Sequence, residues 1–266
     1  MLTVSQIRAF YPGAPDDTQT SIHLLKEYLE LSVLHYLTST KYIEKLAFIG
    51  GTNLRLVKGI DRFSEDLDFD CKDLDKDGFL EMTDGVIRYL RNMGLPAEAK
   101  EKESEKLTAM RRTITFPEYL YTLGLASESE RNRKFILKIE AQDQGFSYKK
   151  VNKMIAMDGF FFQIPVPPDP VLCSMKWSAL LSRGKGRDFY DTMFLMTQTD
   201  PDMEYLSARC GIHSIEQLRV SANVFLAKVD LSKKARDLEF LIFEKGRAST
   251  ILQFNPDRLL GGGRSR

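Results

Sequence analysis

The spacing of apolar residues changes several times along this chain, and each change predicts an element. From Ile22 to Leu37 the apolar positions Leu25, Leu29, Leu31, Leu34, Tyr36 and Leu37 recur at helical spacing. The polar run 16–21 before them suits a helix start. Ala47–Gly50 reads as a short buried strand, and Asn53–Lys58 as a short helix after a glycine turn. Asp66–Asp70 alternates acid and apolar residues, the period of a half-exposed strand. Phe79–Met93 returns to a helical pattern and stops at Gly94-Leu95-Pro96. Residues 97–116 are charged, then β-like from Thr113 to Phe116, which predicts edge strands. Lys134–Ala141 (KFILKIEA) reads as a further strand.

The Pro-rich run Ile164–Pro170 cannot continue a helix or an inner strand, so it is expected to be a boundary. Beyond it, Val171–Ser182, Asp188–Gln198, Met203–Ala208, Ile215–Ala227 and Ala235–Phe243 all suit helices. The expected architecture is α+β. A mixed sheet with flanking helices occupies 1–165, a helical part that completes the active site occupies 166–260, and 261–266 (GGGRSR) form a flexible tail.

Composition narrows the classes. With 43% hydrophobic residues the 266-residue chain can supply a sizeable core. A net charge of +1 gives no global field toward nucleic acid, so any polyanion site must be a local patch. Cys71, Cys173 and Cys210 are scattered and odd in number, which fits neither a disulfide framework nor a zinc signature. No secretory leader pattern opens the chain and no apolar run reaches about 18 residues. The expectation is a cytoplasmic protein with no membrane association.

The candidate chemistry starts in Phe48–Asp70 (FIGGTNLRLVKGIDRFSEDLDFD). The turn Gly50-Gly51-Thr52 allows close backbone approach to a phosphate, with N–H groups of the following helix facing it. Asp66 and Asp68 share one face of a strand and can hold a divalent metal, with Asp70 on the same face. Arg55, Arg62 and Ser64 lie in the intervening segment; Arg55 can contact phosphates or pair with Asp66 or Asp68. Glu140 can complete the metal site or act as general base, or simply face water beside Lys138.

A second cluster is Lys176, Arg183, Lys185 and Arg187, four cations within twelve residues, followed by Asp188 and Asp191. Arg offers a planar fork and Lys a point charge, which together suit a triphosphate clamp; the alternative is an exposed helical corner with charge pairing. Asp73, Asp75, Asp77 and Asp84 follow the spacing of a calcium loop. Against that stand an Asp where the bidentate Glu belongs and a strand where a helix is required. The bland reading makes Asp75 or Asp77 a helix N-cap. Phe146–Lys153 (FSYKKVNK) and Lys228–Arg236 (KVDLSKKAR) are basic segments that suit either RNA contact or a solvated loop.

Taken in order, GGTNLRL…RFSEDLDFD, LKIEA and MKWSALLSRGKGRDFYD resemble the AbiEii/AbiGii toxin family from Phe48 to Phe194. The resemblance implies a nucleotidyltransferase-type mixed sheet and a toxin of a toxin–antitoxin or phage-defence system. Such a toxin moves a nucleoside monophosphate from an NTP to RNA, notably the tRNA 3′ end, and so blocks translation. It implies that Gly51 and Thr52 bind the triphosphate and that Asp66 and Asp68 hold Mg²⁺ (or Mn²⁺). Glu140 would be the family's acid on the later strand. Lys176 would contact the phosphates and Asp188 would be needed for activity. It further implies a cognate antitoxin, with Ser64 at the place of a serine that some antitoxins phosphorylate. The readings from other classes are a non-catalytic protein that binds RNA or a partner on the same fold, and a calcium-binding protein.

Overall fold

The computed structural model describes residues 3–100, 109–244 and 246–261. Much of the charged stretch expected before Thr113, and the expected tail after Gly261, lie outside them. Backbone packing divides the chain into two units. The first comprises Met1–Gly59, Phe63–Gln144 and Val151–Val166; the second comprises Ile60–Arg62, Gly145–Lys150 and Pro167–Arg266.

The first unit opens with α1 (Val4–Arg8) and α2 (Thr18–Thr38). The Asp17 side chain accepts the Thr20 N–H at 2.7 Å, which caps α2. The helix is buried on most sides: Leu24, Leu29, Leu31, Val33, Leu34 and Leu37 have no exposed surface, and Lys26, Glu27 and Glu30 are buried among them. It packs against α1, α4 (Lys76–Asn92) and β7 (Phe160–Val166). The apolar repeat of the sequence is therefore one stripe of a helix surrounded by protein.

A five-stranded mixed sheet lies in the same unit. Its strands are β1 (Leu46–Ile49), β2 (Asp66–Cys71), β3 (Glu98–Ala99), β4 (Met110–Thr115) and β5 (Ile136–Gln142), ordered β1-β2-β5-β4-β3. Only β2 and β5 run parallel, with Asp68 opposite Glu140. Alternation along β2 and β5 sends Leu67, Phe69, Leu137, Ile139 and Ala141 into the core. The helix after β1, α3 (Gly50–Leu56), starts at the glycine turn itself, three residues earlier than the sequence pattern places it. The single turn α5 (Tyr119–Thr122) follows β4.

The segment around 151–166 departs from expectation. Val151–Lys153 begin β6 (Val151–Met157) instead of a loop, and β6 pairs antiparallel with β7. Asp158-Gly159 turns the hairpin with φ of 52° and 83°, the left-handed pair that a two-residue turn of this kind requires. Pro165 lies within β7, opposite Asn152, so the strand extends into the Pro-rich run. A two-stranded sheet consists of edge strands alone, and an edge tolerates a missing N–H donor.

The second unit is helical: α6 (Asp169–Arg183), α7 (Gly186–Met196), α8 (Met203–Cys210), α9 (Ile215–Leu226), α10 (Leu231–Glu239) and α11 (Pro256–Gly261). Pro168 and Pro170 flank the start of α6, where a proline costs no helical hydrogen bond. Trp177, Phe189 and Phe254 form an aromatic core, with Phe189 edge-on to Phe254 at 5.0 Å between centroids. Phe146 packs edge-on against Tyr205 at 5.2 Å. No described helix is long and apolar enough to cross a membrane.

Gly186 starts α7 so close to α10 that an added Cβ would overlap the Lys234 carbonyl oxygen. Gly186→Ala is expected to lower stability by roughly 1–3 kcal/mol, because the obstacle is backbone and cannot rotate away. Urea unfolding followed by fluorescence of Trp177, the single tryptophan of the chain, checks this. Gly13→Ala, whose methyl would meet nothing within 4 Å, is the control and should leave the midpoint unchanged.

Candidate active site

In the first unit the candidate residues lie on β1, α3 and β2. The pairing of Ile49 with Asp68 brings the end of β1 against the acid strand. Gly50 follows with φ of 82°, and a Cβ there would overlap the Asp68 carboxylate. Only glycine satisfies both conditions, the left-handed backbone and the close approach. Two polar side chains peg α3 in place. Thr52 Oγ1 donates to the Asp66 carbonyl at 2.6 Å, and Asn53 Nδ2 donates to the Phe48 carbonyl at 2.7 Å. Thr52 is fully buried, so its hydroxyl ties the turn to β2 while Gly51 lies buried beside it.

Asp66 and Asp68 are half-buried and share the face of β2 opposite Leu67 and Phe69. Lys138 of β5 approaches Asp66 Oδ1 at 3.1 Å. Asp70, on the same face, is buried and accepts the Gln144 N–H at 2.9 Å, a structural role. Glu140 stands opposite Asp68 in register, but Arg111 Nε and Nη2 each approach its Oε1 at 2.7 Å. Among the described residues no group of three or more His, Cys, Asp or Glu side chains is arranged to hold a metal ion. Asp66 and Asp68 are neighbouring carboxylates on this face, with Glu140 next to Asp68 in register. Two hard carboxylates fit Mg²⁺, which binds through one or two carboxylates plus substrate phosphates and keeps several waters.

The loop candidates have definite partners. Glu27 grips Arg55 through two bonds, Nε at 2.7 Å and Nη2 at 3.1 Å. The Tyr11 hydroxyl lies 2.7 Å from Glu27 and 2.5 Å from Asp158 at the hairpin turn. Burial pushes the Asp158 carboxyl up to about 6, with Glu27 adding to the rise and Tyr11 and Arg55 opposing it. Ser64 is half-buried two residues before Asp66. The calcium-like loop has other work: Asp75 caps α4 by accepting the Gly78 N–H at 2.8 Å, and Asp84 pairs with Arg112. The element entering that loop is β2, where a calcium loop of this type needs a helix.

Sequence reasoning missed Glu30. Its carboxyl is buried in α2 and its Oε1 has no hydrogen-bond partner. Burial raises its pKa well above the carboxylate range, opposed by Lys26 and reinforced by Glu27 and Asp66. The signal was three charged positions, Lys26, Glu27 and Glu30, inside an otherwise apolar helix.

In the second unit, α6 ends at Gly184 with φ of 49°, and the turn that follows carries the cations. Asp188, fully buried, accepts the Lys185 N–H at 2.9 Å. It also takes Arg183 Nε at 3.0 Å and Nη2 at 2.8 Å. One carboxylate thus caps α7 and sets the plane of the Arg183 guanidinium. One turn on, Asp191 accepts Arg62 Nε at 2.6 Å and Nη2 at 2.7 Å, and Lys176 Nζ lies 2.8 Å away. Arg62, Lys176 and Asp191 are all buried. Burial alone would raise the Asp191 carboxyl, but Arg62 and Lys176 hold it down at about 2. Two cations thus flank one buried carboxylate. The partnership of Arg62 with Asp191 has no local signal, since 129 residues separate them.

The folded-state pKa of Asp191 lies below its unfolded value. Its stabilisation is therefore full above about pH 4 and is lost as the pH falls toward 2, amounting to roughly 2 kcal/mol. Asp191→Asn leaves two buried cations without a counter-ion and is expected to cost about 3–5 kcal/mol. Trp177 fluorescence in urea, across acidic buffers, tests both. A flat stability between pH 4 and pH 2 in the wild type would contradict the assignment.

The sequence model described as "Nucleotidyl transferase AbiEii toxin, Type IV TA system" matches residues 34–238. Among solved structures the chain is similar to MenT4, a nucleotidyltransferase toxin from Mycobacterium tuberculosis H37Rv. The identity is 15% and the TM-score 0.61, over 100% of this chain and 91% of that one, a likeness of fold. It is also similar to JHP933 from Helicobacter pylori, at 20% identity and TM-score 0.43 over 87% of this chain and 92% of that one. Among curated proteins none matches. With most of its length covered by the family's sequence model, the chain belongs to the AbiEii family of nucleotidyltransferase toxins, enzymes of toxin–antitoxin systems.

Proposed function

We propose that this toxin transfers a nucleoside monophosphate from an NTP to an RNA hydroxyl, at the 3′ end of tRNA, and thereby blocks translation. The observation that carries the reading is the acid pair Asp66 and Asp68 set against the Gly50 turn, with no room for a side chain between Gly50 and Asp68. Asp66 and Asp68 would hold Mg²⁺ or Mn²⁺, which when bound neutralises phosphate charge and orients the reacting oxygens. Glu140, paired with Arg111, is a further acid on that face beside Asp68.

The cations Lys176, Arg183, Lys185 and Arg187 are assigned to the triphosphate oxygens, where a planar fork and a point charge serve different geometries. Asp188 acts as a positioning residue through its two bonds to Arg183. Gly51, Thr52, Arg55 and Ser64 complete the proposed nucleotide set, with Thr52 acting through the turn it anchors. In the reaction the acceptor hydroxyl oxygen bonds to the α-phosphorus, the bond to the β-phosphate bridging oxygen breaks, and pyrophosphate leaves. The hydroxyl proton passes to solvent. The family membership implies an antitoxin as the protein partner.

Incubation with total tRNA, Mg²⁺ and each labelled NTP tests the reading. The wild type is expected to label RNA with one preferred nucleotide, and EDTA to abolish labelling until Mg²⁺ or Mn²⁺ is restored. Asp66→Asn and Asp68→Asn should each reduce the rate about a hundredfold or more. Equal labelling by wild type and Asp66→Asn would sink the assignment of the acid pair. Growth arrest on expression, relieved by the neighbouring gene, reports the toxin and its antitoxin in cells.

A further inference from the structure

Two basic segments far apart in sequence meet within the second unit. One is the turn from Arg183 to Arg187 after α6; the other is Lys228–Arg236, which links α9 to α10. Two glycines permit the approach. A Cβ on Gly184 would stand 2.5 Å from the ring of Phe225 at the end of α9, and one on Gly186 would overlap the Lys234 carbonyl oxygen. A larger side chain at either position would hold the segments apart.

The two segments that meet carry Lys185, Arg187, Lys228, Lys233, Lys234 and Arg236. None of the six forms an ion pair with a carboxylate among the described residues, whereas Arg62, Lys176, Arg183, Arg219 and Arg247 of the same unit are all paired. The nearby acids are largely engaged. Asp188 is buried against Arg183, Asp230 caps α10 by accepting the Lys233 N–H at 3.0 Å, and Glu239 accepts the Gly246 N–H at 2.8 Å. Asp237 is exposed. In a chain of net charge +1, this is a local excess of positive charge.

We infer that the face formed by Lys228, Lys233 and Arg236, beside the turn at Lys185, docks the sugar–phosphate backbone of the RNA acceptor. The inference rests on the proposed transfer to RNA. Charge complementarity selects the occupant. A triphosphate is one compact anion, already matched by the cations around Lys176 and Arg183. The other segment instead carries its cations as separate charges, Lys228 ahead of α10 and Lys233, Lys234 and Arg236 within it, which suits successive phosphates of a polynucleotide. Exposed flexible lysines neutralise phosphates without reading sequence, so this contact would set affinity and register and leave the choice of nucleotide elsewhere.

The test is the triple variant Lys228→Gln/Lys233→Gln/Arg236→Gln in the full chain. Binding of a fluorescein-labelled RNA hairpin with a single-stranded 3′ end is measured by anisotropy over a series of KCl concentrations. The variant is expected to bind about tenfold more weakly or worse, and the slope of log affinity against log salt should fall by about two to three. Its melting temperature and its calorimetric affinity for a non-hydrolysable NTP should match the wild type. Unchanged RNA affinity and unchanged slope would overturn the inference. Retained RNA affinity with lost binding to poly-glutamate would assign the face to an acidic protein and overturn it as well. A wild type that binds and labels RNA, with an indistinguishable variant, sinks this surface alone; a wild type that binds no RNA sinks the acceptor reading with it.

Discussion

Arg62 and Asp191 meet in the interior of the second unit, and Lys176 completes the group. The three residues come from a short stretch between α3 and β2, from α7 and from α6, segments with no sequence continuity. Burying these charges is unfavourable unless each finds its partner, so the arrangement holds the three segments to one geometry. Arg62 also forms a backbone bridge with Ile242, which brings the segment after α10 into the same assembly. The position of Lys176 follows from this group. Its ammonium is held at Asp191, one helical turn from the Asp188 that fixes Arg183.

The first unit relies on a steric constraint. Gly50 leaves β1 in a left-handed conformation, and the Asp68 carboxylate occupies the space that a side chain would need. Thr52 and Asn53 then bind the start of α3 to the two strands through carbonyl oxygens. The same contacts that terminate β1 therefore set the acid pair. Glu140 illustrates the limit of register: it stands beside Asp68, and yet Arg111 from β4 claims its carboxylate.

These features agree with the chain's place among AbiEii nucleotidyltransferase toxins. Enzymes of this kind must hold a highly charged nucleotide, and the residues proposed for that role are of two opposite charges. Acids stand on the sheet of the first unit, and cations on the helices of the second. Among the described residues, the cations of α10 form no ion pair with a carboxylate, whereas the buried and capped charges have found their partners. With a net charge near zero, the excess of positive charge is a local one.

Much of the architecture was legible in the sequence, because helix and strand periods reflect burial of one face. The acid strand, the long α2 and the helices after Pro168 follow from that pattern, and the ordered motifs carried the family. Local chemistry also carries signals in the sequence: Asp158-Gly159 marks a tight hairpin, and Lys26, Glu27 and Glu30 interrupt an apolar helix. Partner choice was another matter. By sequence Arg55 can pair with Asp66 or Asp68, yet its carboxylate partner is Glu27, 28 residues earlier in the chain. For Glu140 the sequence gives metal binding, base catalysis or solvent, and it carries no signal for the pairing with Arg111 of β4. What the sequence by itself determined was which segments carry acid, cation and glycine, since residue type and period are local properties. Which charge pairs with which was decided only by tertiary structure, because a buried ion pair depends on distances between segments that no local pattern encodes.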